Sequence, residues 1–235
     1  LYINKRYIYF PGLNAVKNKM HTLNKNIYAF AICLSALAGC VDAIGFLQLG
    51  GYFISFMSGN STRFAVNLVE GNLSAVGLAG GIILLFVIGT MLGVLVRHYA
   101  SAQSAVVVVL VFVTLLLAGA AISQEIGWGF LAIAFMTLAM GAENAVFQRN
   151  GDIVIGLTYM TGTLVKIGQR LAAALLGGAK FAWIPYLLLW FGLILGGAAG
   201  AILFNVLGLR SLWVAVACAA SLALAAKLSK QDMLA

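Results

Sequence analysis

Residues 104–122 read SAVVVVLVFVTLLLAGAAI. The run carries no charge and shows no alternation of polar with apolar residues, so it does not read as a barrel strand. In lipid, backbone N–H and C=O groups must be paired within the segment, which leaves a helix as its conformation. A helix of this length rises about 28 Å, close to the ~30 Å of bilayer hydrocarbon. Comparable runs occupy 27–47, 75–96, 127–147, 183–205 and 211–228. The predicted fold class is therefore all-α, a polytopic membrane helix bundle with about six transmembrane helices in a single membrane domain over 27–230. Two shorter helical patterns, 60–70 and 162–176, are expected to be re-entrant or interfacial. The first would cover only about 16 Å and could not span alone.

Composition points the same way. The chain is 63% hydrophobic and 9% charged, with a mean hydropathy of +1.05. Soluble domains carry about 25% charged residues, and so few polar side chains could not cover a soluble fold of this size. Cys33, Cys40 and Cys218 lie in apolar runs at no metal-binding spacing, and are expected to be small buried hydrophobes.

The net charge of +8 is unevenly placed. Residues 1–26 form a basic leader expected on the cytoplasmic side. Met20 opens a stretch like an ordinary start, so residues 1–19 are expected to be an upstream extension foreign to the native protein. With the N-terminus inside, twelve of the fourteen Lys and Arg residues fall on the cytoplasmic side, leaving only Arg63 and Arg210 outside. Without residues 1–19 the inside total is still eight. Both termini are thus expected in the cytoplasm, and the basicity needs no nucleic acid.

An internal repeat is visible. Met57-Ser58-Gly59-Asn60-Ser61-Thr62-Arg63 matches Met160-Thr161-Gly162-Thr163-Leu164-Val165-Lys166 at an offset of 103, which also takes Gly89 to Gly192 and Gly93 to Gly196. At an offset of 102, Gly39-Cys40-Val41-Asp42-Ala43 meets Gly141-Ala142-Glu143-Asn144-Ala145. Two units, 27–122 and 127–228, follow, each with three spans. An odd number of crossings inverts the second unit relative to the first, an architecture common among secondary transporters. The glycines of the second and fifth spans (Gly77, Gly81, Gly89 and Gly93; Gly192, Gly196 and Gly200) suggest that these two spans cross at the bundle centre.

The candidate site is built from the repeated motifs. Ser58 and Thr161 precede helical patterns, where a hydroxyl can cap free N–H groups. Gly59 and Gly162 admit close approach. A helix N-terminus attracts anions, and Arg63 and Lys166 lie about one turn further in. With Asn60 and Thr163, these residues are expected to form a substrate site between two facing half-helices. Asp42, Glu143 and Asn144 lie inside spans. Ionisable groups at membrane depth usually pair or face a water-filled path, so the carboxylates are expected to relay ions or to hold Arg63 and Lys166 when the site is empty. A bland alternative stands beside each: snorkelling cations at re-entrant turns, and a structural ion pair at a helix end.

Enzyme chemistry finds no support, since no His pair lies in a span and no catalytic or phosphate-binding motif occurs. No cofactor and no metal site is expected. The expected partners are the lipid bilayer and a small-molecule or ion substrate, with a homo-oligomer left open and no nucleic acid.

Gly39-x-x-Asp42-Ala43, Phe53 to Met57-Ser58-Gly59-Asn60, Glu143-Asn144-Ala145 and Met160-Thr161-Gly162-Thr163 together resemble the bacterial YoaK-like family of membrane proteins, over residues 30–225. Ser58 stands where that family more usually has Thr. The resemblance implies a bacterial inner-membrane location and supplies no substrate or catalytic residue. Two functions remain open: a small secondary transporter or permease, best matched to a small anion, and a non-transporting scaffold or sensor component.

Overall fold

The computed structural model describes residues 25–149, 152–153 and 155–229. Most of the basic leader, with the proposed upstream extension, lies outside the described residues, as does Lys230.

Eight α-helices occur among the described residues: α1 Lys25–Gln48, α2 Met57–Val69, α3 Leu73–Tyr99, α4 Ala105–Glu125, α5 Gly129–Glu143, α6 Met160–Leu175, α7 Ile184–Leu207 and α8 Leu212–Leu228. Helix α5 continues as a 3₁₀ turn, Asn144–Phe147, and a two-residue hairpin follows in which Gln148 pairs with Ile153 and Arg149 with Asp152. Four segments are each long and apolar enough to cross a bilayer: Asn26–Gln48, Leu73–Tyr99, Ala105–Glu125 and Gly129–Phe147. The fifth, Ile184–Leu228, is 45 residues long, twice what one crossing needs. It is two helices, parted at Gly208, whose φ of +58° is a conformation that side chains other than glycine rarely adopt. Helix α7 then packs on α1, while α8 packs on α4. Six apolar helices result, in keeping with the polytopic helix bundle expected from the sequence.

Large apolar side chains also point outward along these helices: Leu84 is 61% exposed, Leu115 64% and Leu195 65%. A continuous apolar exterior fits a hydrocarbon solvent and not water. Cys33 and Cys218 belong to this outer surface, and only Cys40 is buried. The expectation of three buried cysteines is corrected, because a small apolar side chain is tolerated equally well against lipid.

Two of the helix crossings in the bundle are built on glycine. Helix α1 packs along α7, and α5 packs along α3. Both crossings are made by small residues that bring backbones into contact. A Cβ on Gly39 would collide with Leu193 O and Gly197 N, and one on Gly141 with Phe86 O and Thr90 N. Likewise Gly196 and Gly200 lie on Ala36 and Cys40, and Gly89 and Gly93 on Leu138 and Ala142. Without a hydrophobic force between helices in lipid, such close van der Waals contact is what associates them.

Two sequence expectations change here. The second and fifth spans, α3 and α7, do not cross each other at the centre; each packs on the first span of the opposite half. The contacts pair Gly89 and Gly93 with Gly196 and Gly200, an offset of 107. This is one helical turn beyond the offset of 103 suggested by the sequence, where glycines at four-residue spacing match in either register. Gly77 and Gly81 meet no neighbour at all, so they belong to no packing face.

Candidate functional site

The chain between α1 and α2 is irregular, and polar side chains tie it down. Gly50 and Gly51, with φ of +62° and +110°, end α1. The half-buried Asp42 carboxylate then accepts hydrogen bonds from the N–H groups of Ile54 and Ser55, each at 2.7 Å. Asn60 is fully buried and clamps Phe53 from both sides: Phe53 N–H donates to Asn60 Oδ1 at 3.0 Å, and Asn60 Nδ2 donates to Phe53 O at 2.6 Å. A non-helical backbone inside an apolar bundle needs such partners for groups that no helix satisfies.

The second half repeats the device. Asn144, at the position of Asp42, accepts a 3.1 Å hydrogen bond from the Thr158 hydroxyl, and its Nδ2 donates to Met140 O at 3.0 Å. Thr158 stands at the position of Ser55. Thr163, the counterpart of Asn60, is also buried but turns its hydroxyl to Tyr159 O. The sequence repeat contained the Ser55–Thr158 match, at the same offset of 103, but neither residue was singled out.

Helices α2 and α6 follow these tied segments, and they start at Met57 and Met160, earlier than expected. Their capping positions are Phe56 and Tyr159, and neither makes a side-chain cap. Ser58 and Thr161 therefore lie inside the first turn, exposed, and do not cap. Gly59 is close-packed, since a Cβ there would lie 2.6 Å from the Phe56 ring, whereas Gly162 meets open space.

The two cations each sit over an aromatic ring. The Arg63 guanidinium lies 5.1 Å from the centroid of Tyr52 and beside Gly51; the Lys166 ammonium lies 5.6 Å from the centroid of Tyr186. The two half-helices, expected to share one site, pack on different helices. Helix α2 packs on α3 and α6 on α7, and neither short helix packs extensively on the other. Each buries only one or two residues, Asn60 on α2 and Met160 and Thr163 on α6, and so rides on the outside of the bundle. The carboxylate latch is corrected as well. Among the described residues the one ion pair is Arg210 with Glu125, at 3.6 Å, and neither Asp42 nor Glu143 reaches Arg63 or Lys166. Asp42 instead accepts from the backbone N–H groups of Ile54 and Ser55.

Glu143 stands apart from the rest. It is fully buried, and neither carboxylate oxygen has a hydrogen-bond partner. The polar bridges from α3 at its end of α5 bypass it: the Thr90 hydroxyl donates to Gly141 O at 3.2 Å and Arg97 to Val146 O at 3.1 Å. Two apolar grooves mark the surface. One, of about 370 Å³, lies between Phe64 on α2 and Gly80 to Val87 on α3; the other, of about 260 Å³, lies between α4 and α8 around Val111 and Leu224.

Six apolar helices with an apolar exterior, tied by polar groups only where the backbone is irregular, make a multi-pass membrane protein. The chain belongs to the DUF1275 family, described as protein of unknown function, which matches residues 30–225. A UPF0700 transmembrane protein of Rhizobium meliloti (strain 1021) is 37% identical over 186 residues, covering 79% of this chain and 80% of that protein. No solved structure matches.

Proposed function

We propose that this protein is a small secondary transporter or permease of the bacterial inner membrane, built as two inverted repeats and carrying a small anionic solute. It is not an enzyme in this reading, and both termini lie in the cytoplasm. The observation that carries it is the matched packing of the two halves. Residues of α1 and α5 related by 102, and of α3 and α7 related by 107, make equivalent contacts at Gly39 and Gly141. Two equivalent crossings related by exchange of the halves allow one half to rock against the other between two arrangements of similar energy.

The anionic class rests on Arg63 and Lys166, which have aromatic rings beside them and no carboxylate within ion-pairing distance among the described residues. Each cation would serve its own half-site, at the first turns of α2 and α6, with Ser58 and Thr161 exposed beside it. Purified protein in proteoliposomes should take up radiolabelled inorganic anions or short carboxylates. Arg63→Gln and Lys166→Gln should each cut uptake about tenfold while leaving expression intact. Uptake unchanged in both variants would rule out the anion assignment. The apolar lining of both grooves favours the second reading, a non-transporting scaffold or sensor component. Failure of every probe to accumulate above protein-free liposomes would select it.

A further inference from the structure

Glu143 occupies a place that the other half fills with Val41, 102 residues earlier and fully buried in the apolar core. Around it α5 is locked against α3. Gly141 lies on Phe86 and Thr90, and Ala142 lies under Gly93 so closely that a Cβ on that glycine would be 2.7 Å from Ala142 Cα. Ala139, Met140, Val146 and Phe147, one turn away on either side, are all buried. An ionised carboxylate with both oxygens unsatisfied in such a place is far costlier than a neutral acid. Asp42 has two N–H donors at 2.7 Å, and Glu143 has none.

Among the described residues, no charged or titratable neighbour bonds either oxygen. Of the elements packed on α5, α3 carries Arg97, bonded to Val146 O, and then His98 and Tyr99, which meet edge to face at its end. Helix α4 carries Glu125, paired with Arg210. Helix α1 carries Lys25, Tyr28, Cys33, Cys40 and Asp42, the last held by Ile54 and Ser55. The 3₁₀ turn Asn144–Phe147 carries no ionisable group. A metal cation would want several oxygen ligands, and no group of three acidic, His or Cys side chains exists among the described residues.

We propose that Glu143 is a reversible proton-binding site. In the packed arrangement it is the neutral acid. When α3 and α5 part and water enters, its O–H bond breaks, the proton passes to water, and the negative charge stays on the hydrated carboxylate. Repacking reverses the step with uptake of one proton. In this form the site rests on the transporter reading above, and would make the rocking of the halves proton-linked.

Infrared spectroscopy of the full chain in lipid nanodiscs tests it without any solute. A protonated-carboxyl C=O band should be present at neutral pH, should vanish reversibly as the buffer is made alkaline, and should be missing from Glu143→Gln. If Glu143→Gln does not fold, a Glu70→Gln, Glu125→Gln background leaves Glu143 as the single glutamate, and ¹³C-glutamate labelling then shifts the same band. Absence of the band at neutral pH, or its persistence at the most alkaline pH at which tryptophan fluorescence is still native, overturns the proposal. A titrating band with no solute uptake would retire the transporter reading and leave the proton site standing.

Discussion

Asp42 and Glu143 are both acids within apolar helices, one residue apart in repeat register, yet their surroundings oppose each other. The Asp42 carboxylate is an anchor: it receives two backbone N–H groups at 2.7 Å and holds the irregular segment that leads into α2. Asp42→Ala should leave both donors without a partner in a bundle that offers little water. At about 1–3 kcal/mol per unsatisfied group, the variant should lose on the order of 2–4 kcal/mol, read as earlier thermal unfolding in detergent. Asp42→Asn retains a carbonyl acceptor and should cost about half as much, as Asn144 demonstrates by serving the equivalent place. Equal losses in the two variants would show that charge, and not hydrogen bonding, is what Asp42 contributes.

At the scale of the element, glycines divide by what they touch. Gly39, Gly141 and Gly196 leave no room for a Cβ because backbone atoms of the facing helix occupy it. Backbone cannot swing aside as a flexible side chain can. Gly141→Val and Gly196→Val should therefore force α5 from α3 and α7 from α1, at about 2–4 kcal/mol by the scale of core overpacking. Gly77→Ala and Gly81→Ala on α3 should be neutral or slightly stabilising, since both positions face open space and Ala is the better helix former. The comparison is made by thermal unfolding of the purified variants. At the turn between α7 and α8, Gly208 has a φ of +58°. Gly208→Ala should lower stability by about 1–2 kcal/mol through backbone strain alone, with no change in packing.

For the whole molecule, the proposed three crossings per half would impose a parity that experiment can read. Reporter fusions placed after residue 74, between α2 and the body of α3, should report the periplasm. Fusions after residue 178, between α6 and α7, should report the cytoplasm. The two positions are equivalent in the repeat, so finding them on the same side would end the inverted-repeat reading whatever the helices look like. The packing of α1 on α7 and of α5 on α3 also predicts that the separated halves, 1–122 and 123–235, associate when co-expressed. Each half's first span has its principal partner in the other half, and Gly141→Val should abolish their co-purification.

The amino-acid sequence by itself determined the solvent and the elements. Runs of about 20 uncharged apolar residues can satisfy their backbone in lipid only as helices, so the six apolar helices, the two short helices and the repeated motifs were all legible. It also brought Asp42 and Asn144 into correspondence, because identical local geometry demands similar polar groups at similar spacing. What only the tertiary structure decided was which faces meet. Glycine spacing is four residues wherever a helix packs closely, so register could slip by one turn, from 107 to 103, and the sequence could not tell α3 against α7 from α3 against α5. Nor could it separate an acid that meets two backbone donors from one that meets none. Asp42 and Glu143 look alike in a hydropathy profile, and the difference lies in a segment twelve residues downstream that folds back onto one carboxylate and leaves the other bare.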